Sequence, residues 1–189
     1  MDLTIRRATP HDAETLAPLI NRAGEGLPLV VWSQLAAPGE DPWEAGRARI
    51  RGASASSSHR NGWVALWHGQ EAGCVFAYQQ PEVAEPVPDD IPGMFRPLVE
   101  LEALAQGTGY LNVISVASEL RGKGIGSRLM EHFEERYHGP AGWSLIVSDA
   151  NAGARRFYER HGYQVTATRP MVKEGWDGAG AEWLLMIKR

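Results

Sequence analysis

Cysteine occurs once in the 189 residues, at Cys74, so no intrachain disulfide can form, which fits a reducing compartment. Long apolar runs are missing too. The stretch Leu27-Pro28-Leu29-Val30-Val31-Trp32 is far too short to span a bilayer. The first ten residues alternate polar and apolar character and carry Arg6 and Arg7, without the apolar centre of a signal peptide. The expected address is the cytoplasm, with no membrane partner. Nor is there an excess of positive charge: 19 Lys and Arg stand against 23 Asp and Glu, for a net charge of −4. That balance counts against a nucleic-acid partner. The six histidines (His11, His59, His68, His132, His138 and His161) show neither metal-ligand nor triad spacing, so no metal is expected. No internal repeat appears at solenoid periods.

What is present reads as one globular domain over residues 1–189, with 43% hydrophobic and 22% charged residues. Leu3, Ile5 and Arg7 alternate with Thr4 and Arg6, which predicts an opening strand. Thr9-Pro10-His11-Asp12 is a helix start with a capping box. Ala13, Leu16, Ala17 and Ile20 follow at helical spacing, Pro18 should kink the helix, and Gly24 should end it. Asp41-Pro42-Trp43-Glu44 opens a second helix to about Ile50. Strands are predicted at Trp63–Trp67 and Gly73–Tyr78, joined as a hairpin. Residues 81–97 hold five of the twelve prolines and read as a long irregular loop of the kind that carries function. A short helix around Leu98 and Leu101 should end by Gly107. Strands at Tyr110–Val116, Trp143–Val147, Tyr163–Thr168 and Trp183–Ile187 alternate with helices after residue 124 and after Asn151. This order predicts an α/β or α+β layered, mixed sheet with helices on both faces.

The most informative segment is Arg121-Gly122-Lys123-Gly124-Ile125-Gly126-Ser127, between a predicted strand and an apolar-periodic helix carrying Ile125, Leu129 and Phe133. Its glycines permit positive φ and close approach to a ligand. The unpaired N–H groups and positive dipole of a helix start form an anion site, typically for phosphate. A Walker A loop needs Lys followed by Ser or Thr after its last glycine, and Gly126 is followed by Ser127-Arg128. A dinucleotide fingerprint needs G-x-G-x-x-G, and the pattern here is G-x-G-x-G. The turn reads as a phosphate cradle or as a charged connector.

Arg-x-x-Gly-x-Gly opening a helix resembles the pyrophosphate-binding motif of the GNAT superfamily of acyl-CoA-dependent N-acetyltransferases. Val113 to Leu120 ahead of it, and Asn151 to Tyr163 after it, resemble that family's central strand and second signature. The resemblance covers residues 110–165; residues 24–60 and 80–106 carry no family motif. It implies a central mixed sheet of about seven strands, splayed between the fourth and fifth, with acetyl-CoA as cosubstrate. By the match, Arg121, Gly122, Lys123, Gly124, Ile125 and Gly126 would hold the pyrophosphate. Main chain near Ile114 and Val116 would hold the pantetheine arm and polarise the thioester carbonyl, with Asn151 and Ala154 beside the arm. Tyr158 would be the general acid.

From the residues themselves, Asn151 also fits a helix N-cap and Tyr158 a core aromatic. Cys74, in a predicted strand, is expected to be a buried hydrophobe and no nucleophile. The implied reaction is direct attack of an amine on the thioester in a ternary complex. Glu102 and Glu100, just before the central strand, are base candidates, and Glu25 a substrate-binding one. The acceptor would be a small-molecule or peptide amine, and the assembly a monomer or homodimer. A non-catalytic acyl-CoA-binding regulatory module is the alternative, and it would dispense with Tyr158.

Overall fold

A computed structural model describes residues 2–84 and 86–189 of the chain. Its contacts group into two compact units. One comprises residues up to Ala77 together with Asn112–Glu135, the other Tyr78–Leu111 together with Arg136–Arg189. A single seven-stranded mixed sheet is formed, in the order β1-β2-β3-β4-β5-β7-β6.

The first unit opens with β1 (Leu3–Arg7) and a 3-10 turn at Pro10–Asp12. The Asp12 carboxylate accepts from the Thr9 N–H at 2.6 Å and from the Thr9 hydroxyl at 2.9 Å. These bonds satisfy the start of α1 (Ala13–Ala23), which continues through Pro18 and ends at Gly24. Then comes α2 (Leu27–Leu35), which local signals did not announce: its apolar run Leu-Pro-Leu-Val-Val-Trp lacks a polar stripe. It is nucleated instead by Pro28 in its first turn, after Glu25 and Gly26 take left-handed φ of 53° and 87°. In α3 (Pro42–Arg51), the Asp41 carboxylate caps the Trp43 N–H at 3.1 Å.

A glycine inside α3 has a packing reason. A Cβ on Gly46 would stand 2.5 Å from the Trp32 indole, so the helix gives up propensity to let that ring lie against it. Trp43 meets Trp32 edge-on at 5.6 Å. Leu16, Ala17, Ile20, Ile50, Val64 and Phe76 complete this core. The hairpin of β2 (Gly62–Trp67) and β3 (Gln70–Gln79) turns on His68 and Gly69, both at positive φ, and β1 pairs antiparallel with β2. Cys74 is fully buried on β3, and burial pushes its thiol up to about 12, so it packs and does not react.

In the second unit the proline-rich segment is shorter than expected. It tightens into a 3-10 turn at Gly93–Phe95 that leads directly into α4 (Arg96–Glu102). The Met94 N–H donates to the Glu174 carboxylate at 3.2 Å, fixing this turn from a distant loop that periodicity could not reveal. Next come β4 (Gly109–Val116), which passes into the first unit at Asn112, β5 (Trp143–Ser148), α6 (Ala152–Arg160), β6 (Gln164–Pro170) and β7 (Glu182–Lys188). β7 pairs antiparallel with both β5 and β6. Leu101, Leu145, Tyr163 and Leu185 are fully buried here. The helix after the glycine turn is α5 (Ile125–Arg136), with Ile125, Leu129 and Phe133 buried on one face.

Candidate active site

Hydrogen bonding along β4 fixes the first feature. Gln80 N–H donates to Thr108 C=O, and Ala117 N–H donates to Ala72 C=O. Eight steps separate Ala72 from Gln80 on β3, and nine separate Thr108 from Ala117 on β4. An antiparallel pair keeps equal counts unless one strand bulges, so β4 carries one extra residue. Gly109 N–H, before the bulge, donates to Gly142 C=O on the β5 side. After it, the Ser115 C=O lies toward Gly73 of β3, where a glycine Cβ would meet it at 2.5 Å. By alternation, the main-chain groups of Ile114 and Val116 point to the opposite edge of β4. The parallel register with β5 runs from Gly109↔Trp143 to Leu111↔Leu145, and no later rung joins them among the described residues. The bulge therefore places N–H and C=O groups of Ile114 and Val116 on an edge without a ladder partner from β5.

The second feature is the turn after β4. Gly122 and Gly124 take φ of 76° and 79°, and a Cβ on either would meet nothing within 4 Å. Their conformation demands glycine, and the space above them is open. That arrangement fits a phosphate-bearing ligand on a helix start. The third glycine behaves differently: Gly126 lies inside α5 and is not at positive φ, so the expected need for glycine freedom holds at two positions. Arg121 and Lys123 are exposed beside the turn, while Ile125 is buried and anchors the helix.

In the second unit, Asn151 caps α6: its Oδ1 accepts from the Ala154 N–H at 3.1 Å. The helix-cap alternative is thus realised for its side-chain oxygen. Ala154 is half-buried. Tyr158 is buried, 9% exposed, with Tyr163 edge-on at 6.2 Å. Burial alone holds its phenol well above the usual tyrosine range, so it keeps its proton at neutral pH.

The two glutamates of α4 part company. Glu100 forms an ion pair with Arg169 of β6 at 2.9 Å. Glu102 is half-buried, and its carboxylate accepts from Gln80 Nε2 at 3.3 Å. Desolvation raises its pKa, opposed first by the hydrogen bond from Gln80. Tyr78 and Tyr110 are themselves raised, first by burial and then by the Glu102 charge, and their rings lie 5.2 Å apart. Neither tyrosine stands out in the sequence, because each is one aromatic in an alternating strand. Glu25, in the turn between α1 and α2, is half-buried in the first unit. Among the described residues no group of three His, Cys, Asp or Glu side chains could hold a metal ion, and no helix is long and apolar enough to cross a membrane.

A bulged central strand, a positive-φ glycine turn and a capped helix bearing a buried tyrosine are thus built on one mixed α/β sheet. The chain belongs to the acetyltransferase (GNAT) family, whose model matches residues 29–163. It is similar to an uncharacterised N-acetyltransferase of Methanocaldococcus jannaschii, 37% identical over 92 residues. That match covers 47% of this chain and 56% of the relative, so the likeness spans little more than half of that protein. The fold is that of an N-acetyltransferase from Staphylococcus aureus Mu50, with a TM-score of 0.64, 17% identity, and 97% of this chain and 99% of that one covered. It also matches Arabidopsis thaliana Naa50 in complex with the bisubstrate analogue CoA-Ac-MVNAL, with a TM-score of 0.56, 15% identity, and 100% and 99% covered. The seven-stranded mixed sheet implied by the sequence resemblance is thereby borne out, with its parallel fourth and fifth strands.

Proposed function

We propose that this chain forms one N-acetyltransferase domain that transfers an acetyl group from acetyl-CoA to an amine acceptor, by direct attack in a ternary complex. The observation that carries this reading is the bulged β4 running into a glycine turn with open space above Gly122 and Gly124. Main-chain N–H groups of Gly122 to Gly126, with Arg121 and Lys123, would take the pyrophosphate. Ile114 and Val116 would bond the pantetheine arm, and an N–H there would polarise the thioester carbonyl as an oxyanion donor does. Asn151 and Ala154 lie at the start of α6, where the arm would pass.

The amine must shed a proton before it attacks. Glu102 is the base in this proposal, since desolvation raises its half-buried carboxyl above its ordinary pKa, whereas Glu100 is held by Arg169. Tyr158 is the acid that protonates the departing thiolate. Glu25 would contribute to acceptor binding. The structural neighbour solved with a CoA–peptide bisubstrate analogue supports a peptide or small-molecule amine as acceptor.

Acetyl-CoA at 100 times its Kd should stabilise the native protein by roughly 2.7 kcal/mol, seen as a rise in Tm. A panel of amines and peptides with radiolabelled acetyl-CoA then separates enzyme from binding module. No thermal or calorimetric response at millimolar CoA would sink the cofactor assignment. Binding without transfer to any amine would turn the reading to a regulatory module.

A further inference from the structure

Only Asp149, Ala150 and Asn151 lie between the end of β5 at Ser148 and the start of α6 at Ala152. This connection decides where α6 begins, and its first residue is bonded through its N–H, its C=O and its carboxylate. The Asp149 N–H donates to Glu182 C=O at 3.0 Å, one step beyond the Ser148↔Trp183 rung of β5 and β7. The Asp149 C=O accepts from Arg155 Nη1 of α6 at 3.4 Å. Its carboxylate Oδ1 accepts from the Ala181 N–H at 2.9 Å, just before β7. The surroundings leave this corner little play. Gly180 is buried against it: a Cβ there would stand 2.5 Å from Ser148 Oγ and 2.6 Å from Asp149 Oδ1. Residues 171–181, which carry Gly180 and Ala181, are themselves braced. Met171 N–H donates to Ala181 C=O at 2.9 Å, and Lys173 Nζ to Gly178 C=O at 2.6 Å. The buried Trp176 lies flat on Trp183 of β7, with ring centroids 5.4 Å apart and planes 5° apart. Asp149 therefore ties α6 to an anchored segment.

We propose that Asp149 is a positioning residue, which clips the start of α6 to the entry of β7 and thereby sets the affinity for the pantetheine arm. This rests on the acetyl-transfer reading above. Asp149 acts on the ligand only through Asn151 and Ala154, the two residues at the start of α6 assigned to the arm. Its carboxylate is the one side-chain group of the connection that reaches the segment before β7. Without that bond the connection is free to shift, and the arm has to order it on binding. A site that must be ordered at that moment binds more weakly than one already in place.

The test compares two ligands by calorimetry in the full chain. CoA carries the arm, whereas 3′-phospho-ADP lacks it and keeps the pyrophosphate. Asp149→Ala removes the acceptor of the Ala181 N–H and is expected to weaken CoA about tenfold, with 3′-phospho-ADP bound as in wild type. Asp149→Asn keeps an acceptor oxygen and should recover most of the CoA affinity. Gly180→Ala crowds the same clip from the other side and should act as Asp149→Ala does. In turnover, the KM for acetyl-CoA should rise while kcat changes little, as expected for lost uniform binding. A merely structural role weakens both ligands alike, and that outcome overturns the proposal. Unchanged CoA affinity in folded Asp149→Ala overturns it also. Where Asp149→Ala does not fold, Gly180→Ala decides. Failure of the acetyl-transfer reading shows separately, in the wild-type chain, as no binding of CoA, and the inference then falls with it.

Discussion

At the scale of single residues, the proposed acid Tyr158 and the proposed base Glu102 are acted on by burial in opposite ways. For the phenol, burial secures the proton that an acid needs. For the carboxyl, burial works against the ionised form that a base needs. Tyr158→Phe removes a hydroxyl and leaves the ring packed against Tyr163. The expected result is a fall in kcat of roughly 10²–10⁴-fold with a small change in the KM for acetyl-CoA. Single-turnover acetyl transfer checks it, and equal rates for the chemical step would remove Tyr158 from the mechanism. Glu102→Gln should likewise slow transfer, but its effect on stability has the other sign. A carboxyl whose folded pKa lies above its ordinary value of 4.5 binds protons more tightly in the native state. Folding stability contributed by Glu102 is then present below 4.5 and lost as pH rises through the folded value. The glutamine variant should therefore be at least as stable as wild type at neutral pH, with a flatter stability profile above 4.5 in urea unfolding at several pH values. A marked loss of stability at pH 7 would contradict the burial argument.

Among elements, the glycine turn and the bulge set the geometry. Gly124 combines a φ of 79° with an empty space where a Cβ would go. Gly124→Val should therefore be tolerated by its surroundings but strained in its backbone, by about 1–3 kcal/mol. CoA affinity measured by calorimetry should fall while circular dichroism shows a folded chain. Unchanged affinity in that variant would reduce the turn to a connector. The bulge in β4 is an element-scale fact of a different kind. Nothing between Thr108 and Ala117 announces an extra residue, because a bulge is defined by the count on a partner strand.

Across the whole molecule, a bidentate ion pair ties the sheet edge to the turn that opens α1. Arg6 of β1 donates to both carboxylate oxygens of Asp12, at 2.9 and 2.7 Å. The Arg6 guanidinium, more than the Thr9 bonds, holds the Asp12 carboxyl far below the usual range, against the cost of burial. Since the folded pKa is depressed below 3.8, this stability is present above 3.8 and lost as pH falls through the folded value. Arg6 is 39% exposed, and solvent screens the pair, so Asp12→Asn should cost about 1–3 kcal/mol at pH 7. Denaturation at pH 7 and near pH 2 checks it: the difference from wild type should shrink in acid. A constant difference would assign the loss to the capping bonds alone.

The sequence by itself determined whatever depends on near neighbours along the chain. The caps at Thr9-Asp12 and Asp41, the stop at Gly24, the alternating strands and the phosphate-type turn are all written within a few residues. Local backbone preference and periodicity act over that range. Only the tertiary structure decided the rest. Glu100 and Glu102 stand two residues apart on α4, about 200° around the helix, so they had to face different surroundings. Which one would meet Arg169, and which would accept from Gln80, depends on partners 69 and 22 residues away. The same holds for Gly46 beneath Trp32, for α2 without a polar stripe, and for the bulge in β4. Each is fixed by a partner surface that exists only after distant segments have packed, and local pattern carries no record of that partner.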